Sequence, residues 1–210
     1  MGRRVAGVAG PGTTFYYDVT SPYAYLAAYR IGDLIADATW RPIAFPFLLQ
    51  KLGRVPWAID PDMSEEAKTE KRRSVKEEVT GRAAERGMPP VRLPEGFPAA
   101  TWSFAPLRAA VFAEEQGKTE DFSLAVFRLQ FAEARSPAEL ENVREAARRA
   151  GLDPDGVIEA IERQDIKDRL RAYTDEAHER GVTGIPTVAI GDELYWGDDR
   201  LDEAATAVGT

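Results

Sequence analysis

Ser21 is the side chain best placed to do chemistry in this chain. It closes the run TFYYDVTS and precedes Pro22. Serine suits a helix N-cap and proline suits the first helical position. A strand that feeds a helix at such a point leaves N–H groups without partners. Those groups and the helix dipole favour an anion. A second candidate is Gly184-Ile185-Pro186, a turn just before the β-prone run TVAI. A third is Asp198-Asp199-Arg200, which opens the last helical segment. Ligands of open α/β sheets bind beyond strand C-termini, where the connections diverge. That rule points at Ser21 and at the Gly184-Ile185-Pro186 turn.

Composition excludes several other chemistries. Among 210 residues there is no cysteine, so there is no disulfide, no thiolate metal site and no protein thiol nucleophile. The single histidine, His178, argues against a His-based metal site and against a Ser-His-Asp triad. No metal is expected. A net charge of −8 argues against nucleic acid or an anionic membrane as the main partner. No run of about 18 apolar residues occurs, so no membrane-spanning helix is expected. Residues 1–13 lack the apolar core of a secretory signal. They read as a flexible tail, and a cytoplasmic location is the expectation.

Three elements must position the first candidate. Residues 14–17 (TFYY) are aromatic and β-prone, hence a strand. A helix follows from Pro22, with Tyr23, Leu26, Ala27, Ile31 and Leu34 at helical spacing. Residues 39–45 (TWRPIAF) read as a second strand, constrained by Pro42. The middle is different in character. It predicts an exposed helix over 63–88, a proline-rich connector, then helices near 101–116, 119–132, 137–150, 154–162 and 164–181. Thr187–Ile190 and Glu193–Trp196 flank Gly191-Asp192, a hairpin signal. A short helix over 200–208 ends the chain. The outer pieces, β-α-β and β-β-α, can form one four-stranded mixed sheet with helices on both faces, and the helical block becomes an inserted lobe.

FYYDVTSPYAYLA near the start, RGVTGIPTVAIGDELYWGDDRL near the end and the helical block between them resemble one family. It is that of 2-hydroxychromene-2-carboxylate isomerases and kappa-class glutathione transferases, with a DsbA-like thioredoxin fold. The resemblance spans roughly 14–208. It implies an α/β, thioredoxin-like single domain over 14–210. The thioredoxin-like part would be about 14–55 and 180–210, and the helical insertion about 56–179. It implies glutathione, or another low-molecular-weight thiol, as cofactor. It also implies a small aromatic or electrophilic substrate, and a homodimer. DsbA-like relatives carry cysteine where this chain has Ser21.

The resemblance assigns roles residue by residue. Ser21, with Pro22 and Tyr23, would hold the thiol at the helix N-terminus and lower its pKa, as happens to cysteines there. The Ser21 hydroxyl would donate to the sulfur. Ile185-Pro186 would be the cis-proline turn, leaving the Ile185 backbone groups to pair with the cofactor's peptide portion. Asp198 and Asp199 would lie at its γ-glutamyl end. Tyr23 and Trp57 are candidates to line the aromatic substrate. One departure stands out: many relatives have Asn after a Gly near the second strand's loop, followed by a Lys. Here Gly53 is followed by Arg54, which can hold a carboxylate bidentately. Three readings follow: an isomerase in which a thiolate adds reversibly to a conjugated substrate, a kappa-class-like transferase, and a non-catalytic thiol- or peptide-binding module.

Overall fold

A single four-stranded sheet organises the chain. The structure, a computed structural model, describes residues 12–209. Residues 1–11 of the expected tail lie outside the described residues, and Thr13 already belongs to the first strand. The strands are β1 (Thr13–Tyr17), β2 (Thr39–Pro42), β3 (Thr187–Ile190) and β4 (Glu193–Trp196). Their order is β2-β1-β3-β4, with β1 parallel to β2 and antiparallel to β3. A parallel pair needs a crossover, supplied here by helix α1 (Pro22–Leu34). The antiparallel β3–β4 pair closes through Gly191, whose φ of 56° is a left-handed turn conformation that glycine adopts freely.

β1 is central because all five of its residues can be buried. Side chains alternate faces along a strand. Phe15 and Tyr17 therefore enter one core, beside Trp40, Tyr25 and Phe127, while Tyr16 enters the other, beside Ile43, Leu48 and Ala177. Covering both faces takes helices on both sides. Between β2 and β3 run α2 (Phe45–Lys51), α3 (Glu65–Glu85), α4 (Ala105–Ala113), α5 (Thr119–Phe131), α6 (Leu140–Ala150), α7 (Pro154–Ala160) and α8 (Gln164–Glu179). The first core joins the sheet to the lobe: Tyr17 Oη and Ser123 Oγ on α5 are 2.6 Å apart and fully buried. The second core holds α2 and α8 against the sheet. Helix α9 (Leu201–Val208) ends the described chain. No helix among the described residues is long and apolar enough to cross a membrane.

Two expectations need correction. The second strand ends at Pro42, not at residue 45, and Phe45 begins α2. Pro42 offers no N–H to extend the ladder, and Pro46 sits in the first turn of α2, where a missing N–H costs nothing. The helix expected over 101–116 is broken. A 3-10 turn covers Ala99–Thr101, α4 begins only at Ala105 with Pro106 in its first turn, and a second 3-10 turn covers Glu114–Gln116.

Candidate active site

The β1–α1 turn is built around a buried carboxylate. Asp18 is fully buried, and its Oδ1 accepts from Thr20 N (2.9 Å) and Thr20 Oγ1 (2.7 Å). Its Oδ2 accepts from Phe45 N at 3.1 Å. Burial pushes this carboxyl up, while the Thr20 and Phe45 donors pull the other way. Every partner is a donor, so the arrangement suits the ionised form. One side chain thus fixes both the turn that carries Ser21 and the start of α2.

Ser21 then caps α1. Its φ and ψ are −88° and 121°, and its Oγ accepts from Ala24 N at 3.2 Å. A serine hydroxyl also donates, and the Ser21 proton has no acceptor among the described residues. Ser21 borders a cleft of about 370 Å³. Thr20, Pro22 and Tyr23 share its floor with Phe45, Pro46 and Leu49 of α2. The loop from Arg54 to Ile59, Lys71 and Val75 of α3, and Phe97, Pro98 and Trp102 form the walls. Ile185 completes the lining. Most of this surface is apolar or aromatic. Arg54 and Lys71 are its charged members, so a ligand with an anionic group on an aromatic or aliphatic body is the chemistry that fits.

Ile185 reaches the cleft through a cis Ile185-Pro186 bond. Neither its N–H nor its C=O has a hydrogen-bond partner among the described residues, so both are open to an added strand. Arg54 ties this turn to the opposite wall by donating from Nη1 to the Thr183 carbonyl at 3.2 Å. Gly184 is required by a neighbour: a Cβ there would overlap the Trp196 indole. Tyr23 presents its ring to the cleft and donates its hydroxyl to Glu78 Oε2 at 2.6 Å. Burial and Glu78 push the Tyr23 phenol well above its ordinary range, so it remains a neutral donor.

Of the residues singled out in the sequence, Ser21, Pro22, Tyr23, Arg54, Trp57 and Ile185 border this one cleft. Pro186 lies directly behind, its carbonyl accepting from Gly197 N at 2.9 Å. Asp198 and Asp199 do not line it. Asp198 is 1% exposed, and its two oxygens are held by Arg82 and Arg86 at 2.6 Å each. Asp199 is exposed and lies beside the charges of Arg82 and Arg200. Sequence reasoning missed the α2 residues, Val75 and the Phe97-Pro98 segment. The Pro46 start of α2 was the available signal. The Pro-rich connector gave no local sign that it would form a wall.

Comparison with known proteins agrees with this architecture. The chain is 27% identical over 195 residues to a 2-hydroxychromene-2-carboxylate isomerase of Sphingobium xenophagum, covering 90% of this chain and 93% of that one. It is 27% identical over 196 residues to the protein of the same name from Pseudomonas sp. (strain C18), covering 93% and 89%. The solved structure of a 2-hydroxychromene-2-carboxylate isomerase superposes with a TM-score of 0.80 at 24% identity, over 94% of both chains. The family model described as DSBA-like thioredoxin domain matches residues 13–209, and the chain belongs to that family.

Proposed function

We propose that this chain is a glutathione-dependent isomerase of the 2-hydroxychromene-2-carboxylate isomerase type. The observation that carries the reading is Ser21: a helix cap bordering the same apolar cleft as Ile185, with neither the Ser21 hydroxyl proton nor the Ile185 backbone groups partnered among the described residues. The named relatives support it over nearly the whole chain. The residues fit a thiol tripeptide. Ile185 offers a donor and an acceptor to its extended backbone and Arg54 offers a fork to a carboxylate, while Asp199, exposed outside the cleft lining, is the candidate partner for an ammonium that reaches beyond it. Bound as its thiolate, glutathione supplies a sulfur nucleophile that adds reversibly to a conjugated aromatic substrate, letting a formerly double bond rotate.

The chain's own contribution is electrostatic and steric. The α1 N-terminus and the Ser21 hydroxyl stabilise negative charge on sulfur. Tyr23, Phe45 and Trp57 offer aromatic faces to a flat substrate. Lys71 holds an anionic group of substrate or cofactor. Leu49 and Val75, both buried, exclude water, which strengthens each of these interactions. The absence of cysteine means that all thiol chemistry must come from the ligand. A cytoplasmic location suits the reading, because glutathione is kept reduced there.

The test combines a binding screen of several cellular thiols with turnover. Purified protein is expected to interconvert 2-hydroxychromene-2-carboxylate and its open-chain isomer only when glutathione is present. Conjugation of an aryl halide without isomerisation would favour a kappa-class-like transferase. Thiol binding with no turnover of either substrate would make the chain a binding module.

A further inference from the structure

Helix α3 is long, charged and weakly seated. Of its 21 residues only Lys68, Val75, Val79 and Ala83 are buried. It nevertheless supplies Lys71 and Val75 to the cleft wall. Residues 71, 75, 78, 82 and 86 fall at spacings of three and four, so they form one stripe along the helix. The first two face the cleft. The other three make a continuous polar chain. Tyr23 Oη donates to Glu78 Oε2, Arg82 Nη2 donates to Glu78 Oε1, and Arg82 Nη1 and Arg86 Nη1 donate to the two oxygens of Asp198, each at 2.6 Å. Asp198 is 1% exposed, whereas Arg82 and Arg86 are 28% and 19% exposed. Asp198 stands in the 3-10 turn that follows Gly197, between β4 and α9. The end of the sheet therefore grips α3 by a buried carboxylate, and α1 grips it by Tyr23.

We propose that Glu78, Arg82, Arg86 and Asp198 are positioning residues that set the pose of α3 over the cleft, and thereby the placement of Lys71 and Val75 above Ser21. Because α3 buries so little apolar surface, the polar clamp is the main restraint on its rotation and tilt. A helix is stiff over this span: eleven residues separate Lys71 from Arg82, about 16 Å at the usual rise. Displacing one end therefore displaces the other. The consequence for ligand affinity rests on the reading of the cleft as a glutathione site; the clamp itself does not.

The experiment is a double-mutant cycle on the full chain, read by glutathione affinity, with hydrogen exchange of the same variants. Lys71→Ala and Asp198→Asn are each expected to weaken glutathione binding about fivefold, and the double variant no more than the weaker single one. Sites this far apart add when they are independent. A double loss of about 25-fold, the product of the two, would overturn the proposal. In Asp198→Asn the α3 amides are expected to exchange faster while those of α5 keep their protection. Unchanged exchange in α3 would overturn the clamp whatever the cleft binds. If wild-type protein does not bind glutathione, the reading of the cleft falls, and exchange alone decides the clamp. Should Asp198→Asn fail to fold, Glu78→Gln cuts the same chain at its more exposed end and carries both measurements.

Discussion

Replacing Ser21 by alanine is expected to lower glutathione-dependent turnover at pH 7 by up to about 25-fold, the limit reached if the hydroxyl supplies the whole shift, while stability falls by only about 1 kcal/mol. The two effects come from different parts of one hydroxyl. Its oxygen accepts from Ala24 N and caps α1. Losing such a cap costs about 1 kcal/mol. Its proton has no acceptor among the described residues, and in the proposed complex it donates to the ligand sulfur. A thiol held near pKa 6.5 is about three-quarters ionised at pH 7, and one near its free value of 8.5 is about 3% ionised. The sign of the pH dependence follows. The variant's activity should rise with pH as the thiol ionises unaided, and the deficit should narrow to about fourfold at pH 8 and nearly vanish by about pH 9. A deficit that does not change with pH would mean that Ser21 acts by placing the ligand, not by stabilising its anion. Full activity at pH 7 would reduce Ser21 to a cap.

The largest stability loss is expected from Phe131→Ala. Phe131 is fully buried on α5, stacked on Tyr25 at 5.4 Å and edge-on to Phe97 at 6.1 Å. Truncating a buried phenylalanine removes its transfer energy and leaves a cavity, together about 3–5 kcal/mol. A domain of ordinary stability has only about 5–15 kcal/mol. At about 2–4 °C per kcal/mol for a chain of this size, melting should fall by about 10 °C. The loss also reaches the site, because Phe97 borders the cleft and packs against the same ring. Thiol affinity should therefore drop with stability. Phe47→Ala is the control: Phe47 is 39% exposed, and its truncation should cost much less. A loss below about 1.5 kcal/mol at Phe131, measured by denaturant unfolding, would show that the surrounding rings close over the gap.

What could be read from sequence was local. TFYY, Ser21-Pro22 and the Gly191-Asp192 hairpin carry their structural instructions within a few residues, and the sheet and half of the cleft followed from them. What could not be read depends on distance. Helix α2 was hidden because FPFLLQK is apolar on too many sides to show a period, and it extends an apolar strand. Asp198 looked like a ligand-binding aspartate at a helix start. Its partner Arg82 lies 116 residues earlier, and nothing in WGDDR announces it. The far wall of the cleft, from Lys71 to Trp102, is assembled by the packing of α3 and of an irregular connector, neither of which has a local signature for the site.

If glutathione binds as a thiolate at Ser21, as proposed, the absorbance of the bound thiolate will show it. The protein has no cysteine, so every thiolate band in a difference spectrum belongs to the ligand. With saturating protein, titration from pH 5 to 9 is expected to give an apparent thiol pKa about two units below the free value of roughly 8.5, most of the bound ligand being ionised at pH 7. The same titration on Ser21→Ala should return it toward the free value. Glutathione that binds with an unshifted thiol, or does not bind at all, would contradict the account.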